Sequence, residues 1–373
     1  MRIASIARGL REFLYGRAAI PATVACIAAL QSAQAQAGQP AAASSCVASA
    51  SSLTPADFTR VLPDTRRPSG GLTLVSEQPL PGSANRFDYQ SFDSTTSRLY
   101  MNHMNAGETL VLDTRSSTIV GRITGVPRAT GVLAVPATHR IFISAAGAHE
   151  VATVDDRTLT VTHHTAGISF PDGIAYVPEL GRIFVSDEDG RADAVIDANT
   201  GMLRSMIPLG GEAGNTHYDP VSHCVLVADQ TNNDLVAIDP GGEKVVRRYP
   251  LPGAEHPHGF AMDSPGRLLF MSCEGNAKLL VIDMTTMKVI STHAVGAVPD
   301  VLAWDSAWRR LYVASEGGVL SAFWADGVHL RPVGEYRAPH AHTVGLDTRT
   351  HRIYLPLQDV DGRPVLRVLA PVN

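Results

Sequence analysis

Short strand-like runs of the same character recur seven times along this chain of 373 residues. A typical copy begins with Arg and continues with apolar and aromatic residues, as in residues 182–186 and 310–315. The residues that close the seven runs are separated by 42, 42, 42, 44, 42 and 42 positions, and they are Met104, Ala146, Glu188, Gln230, Glu274, Glu316 and Gln358. A fixed period of this length indicates a repeat architecture in which every unit is one supersecondary motif.

Each unit contains four candidate strands, which we call A to D. Strand A follows a Pro-x-Gly turn, strand B is the Arg-aromatic run, strand C ends on Asp, and strand D follows a further turn. The runs are β-branched or aromatic and are separated by Gly, Pro, Asn and Asp, which are typical of strands and turns. Seven such units predict an all-β chain that folds as a seven-bladed β-propeller.

The Asp that ends strand C lies nine residues after five of the strand-B ends. We expect these residues to cap the C–D turns with their carboxylates. They are Asp113, Asp155, Asp197, Asp239 and Asp283.

The last unit ends after its third strand, residues 365–369, so its fourth strand must come from elsewhere. Residues 72–82 resemble the strand-D segment 245–253. We therefore expect the N-terminal segment to complete blade 7, because closure removes open sheet edges.

The first 37 residues have the composition of a secretory signal. Four arginines precede an apolar run of about 13 residues, 18–30, and a small-residue string follows at 33–37. The run is too short for a membrane span of about 20 residues. The sequence therefore predicts a signal peptide over 1–37, a loose lead-in over 38–70, a propeller over 71–373, and a periplasmic or secreted product.

Loss of residues 1–37 leaves 27 basic and 35 acidic side chains, a net charge of −8. Such a surface disfavours nucleic acid and anionic lipid, and no transmembrane stretch follows, so neither nucleic-acid binding nor stable membrane insertion is expected.

Three cysteines remain. Cys224 and Cys273 lie on neighbouring B strands but are offset by about 16 Å, since a strand rises about 3.3 Å per residue. Because a disulfide needs Cα atoms within about 7 Å, we expect both thiols to be free.

Strand A starts, and strand B ends, at the same face of a propeller near its axis. The sequence thus predicts two concentric rings at a solvated channel mouth. The inner positions lie sixteen residues before the strand-B ends and are Asp88, Thr130, Asp172, Gly214, His258, Asp300 and His342.

Ionisable residues are concentrated on one arc of these rings. Blades 5, 6, 7 and 1 present His258, Asp300, His342 and Asp88 in turn, and Glu274 and Glu316 lie beside them. Blades 2 and 4 present small or neutral residues, which would leave room for a ligand. Carboxylates and imidazoles that face one another shift each other's pKa values or share a divalent cation.

The strand-B runs resemble the YVTN-type repeat of seven-bladed propellers in exported bacterial proteins. A second, local resemblance is to streptogramin B lyase, in Pro257-His258-Gly259, in Glu274 and in His342. That resemblance implies histidines and a Glu-bound magnesium that open a lactone ester by elimination. Gluconolactonase-like propellers, which hold calcium at the same mouth, imply the same location.

We therefore expect a metal-assisted lyase or hydrolase that acts on a small lactone-like or ester substrate. His258 and His342 would serve as general base or acid, and Glu274, Glu316 and Asp300 would bind a calcium, magnesium or transition-metal ion. The expected substrate-binding residues are Asp88, Thr130, Asp172, Glu188 and Gln230.

Two alternatives stay open at the sequence level. Polar residues at a propeller mouth often only solvate strand ends, and repeat scaffolds often bind a small ligand or a protein partner without catalysis. His217, His256 and His340 flank the inner ring and are expected to be surface histidines.

Overall fold

The computed structural model describes Cys46 and residues 71–372. These residues form seven antiparallel sheets of four strands each, and the innermost strands of adjacent sheets contact one another in a ring. The chain is a seven-bladed β-propeller. The fold predicted from the repeat is confirmed.

The 28 strands follow the predicted A to D order. The innermost strands are β2 (Gln90–Asp93), β6 (Ala129–Val135), β10 (Pro171–Val177), β14 (Ala213–Asp219), β18 (Pro257–Asp263), β22 (Pro299–Asp305) and β26 (Gly345–Asp347). The second strands are β3 (Arg98–His103), β7 (Arg140–Ala145), β11 (Arg182–Asp187), β15 (Cys224–Asp229), β19 (Leu268–Cys273), β23 (Arg310–Ser315) and β27 (Arg352–Val360). The third strands are β4 (Glu108–Asp113), β8 (Glu150–Asp155), β12 (Ala192–Asp197), β16 (Asp234–Asp239), β20 (Lys278–Asp283), β24 (Val319–Asp326) and β28 (Arg363–Pro371). The outermost strands are β5 (Thr118–Thr124), β9 (Val161–Ala166), β13 (Leu203–Pro208), β17 (Lys244–Pro250), β21 (Lys288–Ala294), β25 (His329–Arg337) and β1 (Leu72–Pro79).

In the part of the chain that the structure describes, four short 3-10 helices lie in the loops, at Met104–Ala106, Pro136–Thr138, Ala146–Ala148 and Glu274–Asn276. Among residues 71–372, no helix is long and apolar enough to cross a bilayer.

The arginine that opens strand B ties neighbouring blades together. Arg98 Nη1 donates to the carbonyl of Asp156 at 2.7 Å, and Arg182 Nη1 donates to that of Pro240 at 2.6 Å. The acceptor lies 58 residues later in both cases, at the C–D turn of the next blade. The 42-residue recurrence of this arginine in blades 1 to 3 therefore has a structural cause, since the side chain joins consecutive units.

Apolar layers fill the spaces between blades. Phe184 and Val195 of blade 3, for example, pack with Val225 and Val236 of blade 4, and all four are buried. The outermost strands β5 and β21 are only half buried, in an alternating pattern, as expected for strands with one face on the core.

The carboxylates at the ends of the C strands cap the C–D turns, as predicted. Asp155 and Asp197 each accept a hydrogen bond at 2.8 Å from the backbone N–H three residues later, and Asp113 accepts one at 2.8 Å from the N–H of Arg115.

The N-terminal strand β1 is the outermost strand of the blade-7 sheet and pairs antiparallel with β28. Leu72 lies opposite Pro371, Leu74 opposite Leu369 and Pro79 opposite Val365. A register shift between Leu74 and Ser76 interrupts the ladder.

The cysteine prediction is wrong for Cys224, which forms a disulfide with Cys46 at a Cα–Cα distance of 4.8 Å. Nothing in the composition of residues 38–70 indicates where Cys46 lies, so sequence reasoning had no geometric basis for this pair. Cys273 is free and buried, and no Cys224–Cys273 bond forms, as the strand register predicted. Cys46 of the expected loose lead-in is thus fixed to blade 4. The predicted signal over 1–37 and the rest of the predicted lead-in over 38–70 lie outside the described residues.

Candidate functional site

The inner ring is built where the A strands converge on the propeller axis. Glycine follows the ring position in several blades because the next blade approaches it closely. A Cβ added at Gly131 or Gly259 would lie 1.9 Å from the carbonyl oxygen of Asp172 or Asp300. The same carbonyls accept hydrogen bonds from strand-B serines of the preceding blade, for example Ser144 Oγ to Asp172 O at 2.7 Å. Close packing of the backbone thus fixes the ring side chains.

This convergence also buries the inner ring. Asp88, Asp172, His258, Asp300 and His342 are only 3% to 7% exposed. The sequence predicted a solvated rim, and that expectation is wrong for the inner positions. The outer-ring residues Glu188, Glu274 and Glu316 are half buried.

His342 is held by carboxylates on both ring nitrogens. Nε2 lies 3.1 Å from Asp88 Oδ1, and Nδ1 lies 3.1 Å from Asp300 Oδ2 and 2.8 Å from Glu316 Oε1. Burial opposes its charge, but the carboxylates of Asp300 and Asp88 outweigh burial and hold the pKa of His342 well above its usual value. The hydrogen bond from His342 in turn lowers the pKa of Glu316. Asp88 is affected in the same direction: burial opposes its charge, but His342 lowers its pKa.

Arg86 is a member of the site that the sequence analysis missed. Its Nη1 lies 3.0 Å from Glu316 Oε1, and its Nη2 lies 3.9 Å from Asp300 Oδ2 and 2.9 Å from His342 Nε2. A signal was present in the sequence, because Arg86 stands two positions before the ring residue Asp88. The equivalent residues of four other blades have a left-handed backbone, with φ of 49° to 54°, whereas Arg86 does not. Those residues are Arg128, His256, Val298 and His340.

His258 lies on the other side of Asp300. Its Nε2 is 3.6 Å from both Asp172 Oδ2 and Asp300 Oδ1, and 3.4 Å from the hydroxyl of Tyr89, a second residue that the sequence analysis did not single out. Burial disfavours the imidazolium, yet the carboxylates of Asp300 and Glu274 raise the pKa of His258 to about 9.

Several acids of the site hold their protons more tightly than free carboxylic acids. Burial, reinforced by Asp88, raises the pKa of Asp172 well above its usual value. Burial also raises the pKa values of Glu188 and Glu274. The cluster therefore contains more acidic groups than its own histidines and Arg86 neutralise, which is the electrostatic condition under which a cation binds.

Two sets of three side chains bring ligand atoms within 4.8 Å of one another. They are His258, Glu274 and Asp300, and Asp300, Glu316 and His342, so Asp300 belongs to both. Two buried atoms of these groups, His258 Nδ1 and Asp300 Oδ1, have no hydrogen-bond partner. Imidazole and carboxylate donors suit magnesium, calcium and first-row transition metals to different degrees. The residues present therefore fit a divalent cation.

The remaining predicted substrate-binding residues are placed as follows. The Thr130 hydroxyl donates to the carbonyl of Pro171 at 2.7 Å and is buried between blades 2 and 3. Gln230 Nε2 donates to Glu188 Oε1 at 3.3 Å, so these two side chains form a pair between blades 3 and 4. Asp88 and Asp172 face the two histidines, as described above.

The flanking histidines divide into two groups. His256 and His340 are exposed, as predicted. The prediction is wrong for His217, whose ring packs edge-on against Phe260 at 4.6 Å. Burial lowers the pKa of His217 to about 4.

No protein-family model matches this chain, and no curated protein matches it. Among solved structures, hydrazine synthase from Kuenenia stuttgartiensis is similar, with a TM-score of 0.66 and 13% sequence identity over 79% of this chain and 97% of that chain. At this identity the likeness shows the propeller fold alone.

Proposed function

We propose that this propeller is a metal-assisted lyase or hydrolase that opens a small lactone-like or ester substrate at the channel mouth. The observation that carries the proposal is the position of Asp300, which lies between two histidines and belongs to two sets of cation-ligand side chains. Titratable groups concentrated in this way in one concave site are typical of catalytic centres.

His342 is the proton donor in this proposal. Each ring nitrogen lies within 3.1 Å of a carboxylate oxygen, and these carboxylates favour the protonated ring, although Arg86 Nη2 also lies 2.9 Å from Nε2 and 3.0 Å from Nδ1. In hydrolysis, water adds to the carbonyl carbon and gives a proton to a carboxylate of the cluster, and the bond from the carbonyl carbon to the leaving oxygen breaks. In elimination, a carboxylate of the cluster removes a proton from the carbon next to the alkyl carbon, a C=C bond forms, and the bond from the alkyl carbon to the ester oxygen breaks. A proton given by His342 would stabilise the departing group in either case.

Asp300, Glu274 and Glu316 supply carboxylate ligands, and His258 can add an imidazole nitrogen. A divalent cation held here would polarise the substrate carbonyl. The inner-ring side chains are almost fully shielded from water, whereas the outer carboxylates are only half buried.

Two finer assignments accompany this proposal. Membership of the YVTN-type family is supported by the strand-B repeat and by the blade-joining role of its arginine. Export is supported by the basic and apolar N-terminal sequence and by the Cys46–Cys224 disulfide, because disulfides persist mainly in oxidising compartments.

The test is acid release in a pH-stat from a panel of small γ- and δ-lactones and aryl acetates, with and without added Mg²⁺, Ca²⁺ or Mn²⁺. We expect cation-dependent turnover that falls at least about 100-fold in His342→Gln, since general acid catalysis contributes about 10² to 10⁴. His340→Gln, two residues away and exposed, is the matched control. Reaction in H₂¹⁸O separates hydrolysis, which incorporates label into the carboxylate, from elimination, which does not. Turnover that is insensitive to chelator, or equal in His342→Gln, contradicts the proposal. Cation-dependent ligand binding without turnover would favour a non-catalytic binding propeller.

A further inference from the structure

The two candidate cation sets share Asp300 but differ in their surroundings. In the set of Asp300, Glu316 and His342, every member is already contacted by the guanidinium of Arg86, at 3.9, 3.0 and 2.9 Å. The planar fork of the guanidinium suits this task, because its N–H groups diverge toward several acceptors at once. A positive charge thus already lies among these three ligands.

The set of His258, Glu274 and Asp300 has no such occupant. Among residues 71–372, no lysine or arginine forms an ion pair with His258 or Glu274, and His258 contacts the carboxylates of Asp172 and Asp300 and the hydroxyl of Tyr89. Asp300 divides its two oxygens between the sets. Oδ2 faces His342 and Arg86, whereas Oδ1 faces His258 at 3.6 Å, is buried and has no hydrogen-bond partner. An unpartnered buried carboxylate oxygen is costly, and a bound cation would satisfy it.

We infer that the channel mouth binds one divalent cation, between His258, Glu274 and Asp300, and that Arg86 replaces a second cation between Asp300, Glu316 and His342. This inference rests on the proposed function, whose cation site it narrows from two sets to one. It makes His258 a ligand and leaves His342 as the proton-transfer group. It also makes Glu316 a partner of Arg86.

Arg86 can leave its position without unfolding the blade, because its side chain is 37% exposed and lies outside the strands. Its removal would leave Asp300 Oδ2 and Glu316 without the guanidinium that they now face, and a second ion bound there would displace the proton that His342 Nδ1 directs at these two carboxylates. The inference therefore makes a numerical prediction: the number of bound cations rises from one to two when the charge of Arg86 is removed.

The experiment is a Mn²⁺ titration of metal-free protein, read by calorimetry and by the electron paramagnetic resonance signal of free Mn²⁺. We expect one ion per chain in the wild type, two in Arg86→Gln and one in Arg86→Lys, which keeps the charge. Glu274→Gln should weaken binding at least about tenfold, whereas Glu316→Gln should keep one ion at near wild-type affinity. Arg122→Gln is the matched control, since Arg122 pairs with Glu108 at 2.7 Å on an outermost strand away from the axis.

Any one of three results would overturn the inference while leaving a cation site in place. These results are two bound ions in the wild type, one bound ion in Arg86→Gln, or loss of the ion in Glu316→Gln but not in Glu274→Gln. Absence of bound Mn²⁺ from every variant would overturn the cation site itself. Thermal melting of each variant shows whether it is folded.

Discussion

The disulfide between Cys46 and Cys224 joins residues 178 positions apart, so it closes a loop that contains blades 1 to 3. Breaking it should destabilise the protein mainly by increasing the conformational entropy of the unfolded chain. The change is Cys224→Ala, or reduction of the wild type with dithiothreitol.

The loop length sets the size of the effect. The chain-entropy relation gives about 5 kcal/mol at 25 °C for a loop of this length, and measured losses for native disulfides are typically about 2 to 5 kcal/mol. Unfolding entropy is about 2.1 cal/mol/K per residue, so the roughly 300 residues of the propeller would lose about 3 to 8 °C in Tm.

The assay is thermal unfolding with and without reductant. Reductant should lower the Tm of the wild type but leave that of Cys224→Ala unchanged, because the variant has no bridge to lose. Peptide mapping without reduction should recover a Cys46–Cys224 peptide and leave Cys273 free. A wild type whose Tm does not respond to reductant, or a map with free Cys46 and Cys224, would refute the reasoning.

Three further predictions concern pH and ring closure. Asp193 is fully buried without a well-formed hydrogen bond, and burial raises its pKa to about 7. Because the unfolded chain ionises this group near pH 4, the wild type loses stability as pH rises from about 4 to 7, and the free energy of unfolding of Asp193→Asn should increase relative to the wild type over that range by at most about 4 kcal/mol. Urea unfolding measures this difference, and a difference that does not change with pH would refute the prediction. The charged form of His258 stabilises the folded protein, since its folded pKa of about 9 exceeds the unfolded value of about 6.5. In metal-free protein, His258→Gln should therefore lower the free energy of unfolding by up to about 3 kcal/mol at pH 6, and this loss should shrink as pH rises to 9.5. A loss of the same size at pH 9.5 would count against the carboxylate contacts. Deletion of residues 71–82 removes β1 and exposes the edge of β28. We therefore expect the deletion variant to have a lower Tm and to aggregate, as measured by light scattering. An equally stable, monomeric variant would show that ring closure does not depend on this strand.

The sequence predicted the blades well because the repeat is a strong signal at every level. Hydrophobic pattern, turn residues and the strand-B arginine recur at one period, so the strand-B register follows from counting. The capping role of the C-strand aspartates followed from the same regularity. Cys46 could not be placed in this way, because it lies in a segment without repeat.

The site was harder to predict than the fold. Counting sixteen residues back from strand B selected His258, Asp300 and His342, which do lie together. Their burial was not predicted, because it depends on how closely Gly131 and Gly259 let neighbouring blades approach. Arg86 was missed because its role depends on a departure from the repeat. The equivalent residues of blades 2, 5, 6 and 7 adopt a left-handed backbone, and the sequence pattern does not show that Arg86 departs from this conformation.

The central claim is that Asp300 organises a cation site at the channel mouth, and calorimetric titration of a divalent cation into Asp300→Asn and wild type tests it most directly. Asn keeps the size of the side chain and removes the charge shared by both ligand sets. We predict stoichiometric binding to the wild type and at least about a hundredfold weaker binding to a folded Asp300→Asn variant. Equal affinity in the two proteins would contradict the account.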